Sequence, residues 1–397
     1  MKKTLHILAT LLCAASCIYP FDPDVDQAPE GVLVVEGDII IGGTSKVRLG
    51  MMSSLYSNTL SGAAVDMNAA DVWIEDDMGT VYKGDPEGPG GAIYYGWSPY
   101  SYQYVMATEN APGDRKYRVC VDALGARYAS DWTLPLEAPV IRDIKFTADD
   151  FNVTVSVSLD GGPQSTGYAL LTYDETWEFH TEYLLQYEVD TMSWSVQQPI
   201  KPPLQPNYWC WRHVDKEVLD PLDFTGRNED GVTDYPLLSF ARIDDRNHRR
   251  YCVNVKARTI TKGTYRYLHN LDEGSLGGGD LFTPNPGEIQ GNVRCETEPE
   301  RMALGYVTTS RMASRRAFLD SRYHRTPQPN YELLNYLLQR DFPKFYEDGY
   351  LPLIENPHTE YDPRVEGAYG WGDARCYDCV AAGGTKEQPD YWYEDYE

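Results

Sequence analysis

The sequence predicts a mainly β protein: an N-terminal immunoglobulin-like β-sandwich followed by a larger β-rich domain with short helical insertions. Three observations point there. Apolar and polar residues alternate over several short stretches, which is the period of a half-buried strand. Gly (33) and Pro (26) punctuate the chain at the short intervals that turns between strands require. The rings are 31 Tyr and 9 Trp against only 10 Phe, so most carry a polar end that suits sheet faces and interfaces. A chain of 397 residues with 42% apolar and 24% charged side chains lies in the globular range and has room for two or three domains. The formal charge of -25, from 60 acids against 35 bases, argues against nucleic acid as a partner, since holding phosphates takes a basic surface.

The elements follow in order. Lys2 and Lys3 precede an apolar run at 5–12, and Ala14, Ala15 and Ser16 lead to Cys17. Residues 1–16 therefore read as a signal peptide, too short to span a bilayer. A lipoprotein needs a cysteine directly after the cut, because its thiol receives the diacylglyceryl group, and Cys17 stands there. Cleavage by the general signal peptidase is the alternative, since Ala14 and Ser16 are small enough for it. Each buried methylene contributes about 0.8 kcal/mol, so two or three acyl chains would hold the protein firmly to the outer membrane. Residues 17–30 form a tether, stiffened by Pro20 and Pro23 and solvated by Asp22, Asp24 and Asp26. Acids directly behind a lipid-bearing cysteine resemble the signals that send lipoproteins to the cell surface, which is the expected location; an ordinary polar linker is the other reading.

The first domain, 31–136, opens on 32–41 (VLVVEGDIII), read as a strand pair or one long buried strand. Further strands are expected at 47–51, around Val65, and at 71–75, 80–82, 102–106 and 117–123. In the last, Tyr117, Val119, Val121 and Ala123 face one way and Arg118, Cys120 and Asp122 the other. Residues 132–139 (WTLPLEAP) read as a short stiff linker. In the second domain, 137–397, Val153, Val155, Val157 and Leu159 alternate with polar residues, as do Val253, Val255 and Ala257. Helices are predicted at 261–271, stopped by Gly274, and at 331–345, where Leu334, Leu337, Leu338 and Phe342 share a face and Pro343 should end or kink the helix.

Several separated motifs occur in order: Cys17 with 20–23 (PFDP), 33–37 (LVVEG), 128–130 (YAS), Cys210-Trp211, 287–293 (GEIQGNV), 304–306 (LGY), 376–379 (CYDC), 383–385 (GGT) and 389–392 (PDYW). On these the mature chain resembles a family of outer-membrane lipoproteins of unknown function from Bacteroidota-type bacteria (DUF4249-like). Cys120 and Cys252 stand outside the family's pattern, and Tyr391 takes a place where Phe is expected. The resemblance implies a position beside TonB-dependent receptors of the starch-utilisation type and a partner role in nutrient uptake. It supplies no catalytic residues.

Six cysteines remain once the leader and Cys17 are set aside: Cys120, Cys210, Cys252, Cys295, Cys376 and Cys379. An even number outside the cytoplasm favours disulfides, with fifteen pairings open, a Cys120–Cys252 bond among them. Cys376 and Cys379 form a CxxC, readable as a redox pair, half a zinc site or a structural disulfide. Gly383 and Gly384 follow where a redox pair wants a helix, and no second pair completes a zinc site, so structural bonding is expected. The seven histidines share no metal-binding spacing, and neither a GxSxG elbow nor a Walker loop occurs. No metal, no cofactor and no enzymatic activity are expected. Asp22, Asp24 and Asp26 mimic the start of a calcium loop, but Gln27 and Leu33 stand where glycine and glutamate are needed.

The strongest functional signal is the run 94–104 (YYGWSPYSYQY), where Tyr94, Tyr95, Trp97, Tyr100, Tyr102 and Tyr104 fall close together. Such rings can stack on sugars, grip a peptide or dock a protein; alternatively they cover a sheet face. Tyr208, Trp209 and Trp211 around Cys210 read as a core plug against a disulfide, and Tyr391, Trp392 and Tyr393 either fold back or project as an acidic tail. The expected function is that of a surface-exposed outer-membrane lipoprotein assisting a TonB-dependent transporter by ligand capture or receptor docking. An adhesion or surface structural module and a surface hydrolase are the alternatives.

Overall fold

The computed structural model describes residues 32–51, 70–89, 102–162, 164–197, 207–226, 230–276, 291–320, 333–334, 337, 339–355 and 369–396. Strand β1 (Leu33–Ile40) buries Leu33, Val35 and Ile39 on one side and turns Glu36 and Asp38 to the other. It runs antiparallel to β2 (Thr44–Met51) through a tight turn in which Gly42 takes φ +86°, a conformation glycine adopts without steric cost. β2 repeats the pattern: Val47 and Leu49 point inward, Lys46 and Arg48 outward.

Next come β3 (Asp71–Asp76), β4 (Val81–Lys83), β5 (Asp85–Pro89), β6 (Tyr102–Ala107), β7 (Tyr117–Ala123) and β8 (Ala126–Ser130). One sheet contains β1–β2–β6–β5 and a second contains β8–β7–β3–β4. Leu33, Val35, Val47 and Leu49 from the first share a core with Ile74, Val119, Val121 and Tyr128 from the second. Residues 132–139 do not hang free between domains. Thr133 and Tyr117 exchange backbone hydrogen bonds of 2.8 and 3.0 Å, and Leu136 donates to Thr309 at 3.2 Å while accepting from Arg311 at 2.8 Å.

A second pair of sheets is built from β9 (Val140–Ala148), β10 (Asn152–Asp160), β11 (Tyr168–His180), the short hairpin β12 (Val189–Asp190) and β13 (Ser195–Val196), β14 (Trp209–Asp223), β15 (Gly231–Ala241) and β16 (Arg250–Thr259). The sheet β15–β10–β9 covers the sheet containing β14–β11–β16. The alternating residues Val153, Val155, Val157 and Leu159 meet Tyr251, Val253, Val255 and Ala257 in one core. Helix α1 (Lys262–Leu276) follows and runs past Gly274, since one glycine costs a helix only about 1 kcal/mol.

The chain then returns to the first pair of sheets. β17 (Val293–Cys295) adds to β8, while β18 (Ala303–Leu304) and β19 (Val307–Ser310) run parallel to β1. The first pair therefore draws its strands from both sides of residue 136. Gly305 joins β18 to β19 at φ +114°, packed so closely on β1 that a Cβ there would fall on the Val35 carbonyl. β20 (Ala313–Asp320) returns to the second pair, beside β16.

Helix α2 (Phe342–Glu347), β21 (Leu351–Glu355), β22 (Tyr369–Gly372) and α3 (Ala374–Tyr377) complete the order. Phe342, Trp371 and Val189 form a small separate core. Here the expected helix over 331–345 is corrected. Leu334 instead makes a β-bridge with Trp371, and Pro343 lies in the first turn of α2, where its missing N–H costs no helical bond. No helix among the described residues is long and apolar enough to cross a membrane.

Candidate functional site

The outer faces of β1 and β2 carry charge in a fixed register. Glu36 stands opposite Arg48 and Asp38 opposite Lys46, and Gln103 of β6 flanks Arg48 on its other side. A second charged face comes from the other sheet pair, where Leu170 pairs with Arg258 and Thr172 with Lys256 across β11 and β16. These two outer faces oppose each other across a cleft of about 300 Å³.

Its walls are tied together on both sides. The Arg258 guanidinium crosses to the Asp38 carboxylate at 2.7 Å, and the Thr308 hydroxyl donates to the same carboxylate at 2.6 Å. Tyr267, from α1, donates to Glu36 at 3.1 Å. Within each wall, Arg48 donates to the Gln103 side chain at 2.9 Å and Lys256 pairs with Asp174 at 2.8 Å. Burial pushes the Glu36 carboxyl up to about 7, although the Tyr267 hydroxyl and the Arg48 guanidinium both oppose the shift. Lys46, Arg48, Lys256 and Arg258 line the cleft against Asp38 and Asp215. Four cations thus gather on its lining in a chain that is acidic overall, with Glu36 opposite Arg48 and Asp174 paired to Lys256. Such a surface can hold and orient an anion.

The aromatic run is placed only in part. Tyr94, Tyr95, Trp97 and Tyr100 lie outside the described residues, as does Cys17. Tyr104 points inward: it is 1% exposed, sits in the core of the first sheet pair and donates its hydroxyl to the Ala70 carbonyl at 3.2 Å. Tyr102 packs half-buried on the same core. The face these two share is thus the interior one.

Cys210 on β14 bonds to Cys379, across 169 residues of sequence. Cys376 is not the partner of Cys379; the CxxC contributes one half of a long-range bond and leaves Cys376 as a buried thiol, pushed up to about 11 by burial. Cys120, Cys252 and Cys295 are buried and outside any disulfide, Cys120 in the first sheet pair and Cys252 in the second. Cys120 does sit on the outer face of its strand, as its phase predicts. That face is itself covered, because the Arg127 guanidinium lies over Trp73 at 5.3 Å and Arg118 over Trp132 at 4.7 Å. Beside the disulfide, Trp211 meets Trp392 edge to face at 6.5 Å, and Trp392 is fully buried, so the C-terminal rings fold back. Among the described residues no group of His, Cys, Asp and Glu side chains is placed to hold a metal ion.

The cleft was legible only in part. Residues 32–41 look like a continuous apolar run, yet Glu36 and Asp38 share one phase, as do Lys46 and Arg48 in the next strand. Two in-phase charge pairs on neighbouring strands were the available signal.

A family model described as "Domain of unknown function (DUF4249)" matches residues 18–316. The chain belongs to that family. The matched residues of the DUF4249 family include both walls of the cleft, whereas the motifs at 376–379, 383–385 and 389–392 lie beyond them. No curated protein matches the chain.

Proposed function

We propose that the protein is a surface-exposed outer-membrane lipoprotein, anchored through Cys17, that captures a ligand as the accessory partner of a TonB-dependent transporter and performs no chemistry of its own. The observation that carries this reading is the cleft between the two sheet pairs. Among the described residues it is walled by side chains suited to binding and orienting, with lysines and arginines held by carboxylates and an amide. The run from Lys2 to Cys17 supports the anchor, and the resemblance described above supports the transporter as partner. The first sheet pair is read as an immunoglobulin-like sandwich, with Tyr94, Tyr95, Trp97 and Tyr100 as contacts for the ligand or the barrel.

Co-purification tests the partnership. A tag on this protein, followed by extraction in mild detergent, is expected to bring down a barrel receptor. Extraction without one removes the transport role. Intact mass of the mature protein tests the anchor: a diacylglyceryl mass on Cys17 is expected, and an unmodified, freely diffusing species overturns it.

A further inference from the structure

We propose that the cleft between the sheet pairs is a binding site for a small organic anion, a carboxylate or phosphate carried on a compact polar body. The inference deepens the ligand-capture reading and rests on it. Lys46 and Arg48 of β2 and Lys256 and Arg258 of β16 alternate on their strands, so each strand presents two cations to the same space. Asp38 and Asp215 are the acids in that lining, while Asp174 pairs with Lys256 and Glu36 stands opposite Arg48, so the four cations are gathered and held in place by neighbouring carboxylates. The chain as a whole is strongly acidic, with 60 acids to 35 bases, so four cations gathered at one place mark the cleft out as a position for an anion.

The two arginines are positioned before any ligand arrives. Arg48 and Arg258 are 5% and 6% exposed and are held by Gln103 and Asp38 respectively. A fixed guanidinium loses little side-chain freedom on binding and presents a planar fork that suits carboxylate or phosphate. Lys46 and Lys256 are half-buried, and Lys256 is held by Asp174. Ile40 and Leu170, both buried, and the exposed Met312 give apolar surface for the body of the ligand, and Thr44, Thr172 and Gln103 give neutral hydrogen-bonding groups.

A purely structural lock between the sheet pairs would explain the Arg258–Asp38 contact. It would not explain why about 300 Å³ stays open beside it. Protein interiors leave few voids larger than a water molecule, so open space of this size beside an ion pair is room for a small polar molecule. The volume lies at the small end of ligand sites, the size of a sugar acid or a di- or tricarboxylate, and it is too small for a folded segment of another protein.

The test is titration calorimetry on the mature full chain in mild detergent at low salt. Glucose, glucuronate and glucose 6-phosphate share one frame with a neutral, a carboxylate and a phosphate group, and citrate and inorganic phosphate extend the series. At least one anion should bind at a single site about tenfold or more tighter than glucose, and the strongest arm names the head group. Lys46→Gln and Lys256→Gln should each weaken that binding about tenfold. Thr172→Glu, which places a carboxylate opposite Lys256, should abolish it with the urea midpoint unchanged. The proposal is overturned by either of two results: no anion in the series binds at millimolar concentration, or Thr172→Glu leaves a measured affinity as it was. The same preparations separate this from the partner role. A barrel receptor that co-purifies with a chain binding no anion sinks the anion site alone, and anion binding without a barrel sinks the transporter partnership alone.

Discussion

The Tyr267 hydroxyl donates to the Glu36 carboxylate at 3.1 Å, joining the helix of the second sheet pair to the outer face of the first. Glu36 is buried, and burial raises its carboxyl from 4.5 to about 7. The fold therefore prefers the protonated acid, and the sign follows. This group's favourable contribution is fully present below 4.5 and is lost as pH rises through 7, by about 3 kcal/mol. Urea unfolding followed from pH 5 to 8 should show stability falling. Glu36→Gln, which keeps an oxygen for Tyr267, should remove most of that fall above about pH 6. The part below belongs also to Asp245, raised to about 6 by burial and by Asp244. An unchanged slope in Glu36→Gln refutes the assignment.

Inside the second sheet pair, Glu175 is 1% exposed and accepts from both Arg246 and Tyr251 at 2.8 Å. Arg246 lies over the Trp177 ring at 4.7 Å and the Phe240 ring at 5.4 Å. Removing the acid leaves the Arg246 guanidinium with Asp244, at 3.0 Å, as its remaining carboxylate partner and takes the acceptor from Tyr251. Glu175→Ala should lose about 2–3 kcal/mol in denaturant unfolding, whereas Tyr251→Phe, which deletes one hydrogen bond and no charge, should lose about 1 kcal/mol.

The disulfide gives a third expectation. Cys210 and Cys379 close a loop of 169 residues, so replacing both by Ala should cost about 2–5 kcal/mol by equilibrium unfolding. Peptide mapping without reduction should recover the Cys210–Cys379 pair. Cys120 and Cys376, pushed by burial to about 12 and about 11, should resist alkylation until the protein unfolds. A Cys376–Cys379 peptide would contradict the structure.

Trp392 is fully buried, edge-on to Phe318 at 6.2 Å and to Trp211 at 6.5 Å. Trp392→Ala should destabilise by about 3–5 kcal/mol and expose the C-terminal segment to limited proteolysis. Tyr393, 48% exposed, should tolerate the same change with little effect.

These residues also show what could be read in advance. Val153 to Leu159 announce their strand because one face meets a core and the other faces away, so the period survives in the residue types. Tyr104 misleads for the same reason: its phase is right, but an aromatic residue reads alike on a ligand face and on an interior one. Cys120 defeats the period because arginines lying on tryptophans cover it on the outer face of its sheet, even though Trp132 and Arg127 themselves remain exposed. Pro343 reads as a helix end when only its steric effect is weighed, yet the first turn accepts it. Pairings such as Cys210 with Cys379, or β18 and β19 with β1, depend on distant segments meeting, and no local pattern encodes them. The cleft belongs to this last kind, since two of its four cations lie on β2 and two on β16.

The late return of β17, β18 and β19 to strands made at the start has a consequence for biogenesis. The opening strands cannot complete their sheets until translation has passed residue 310, and the intervening segment must meanwhile fold against partners of its own. Synthesis from the N-terminal end thus yields a polypeptide whose earliest edge stays unpaired the longest. A truncated gene ending near residue 136 would leave β1 and β8 with open edges, the condition under which strands of separate molecules find one another.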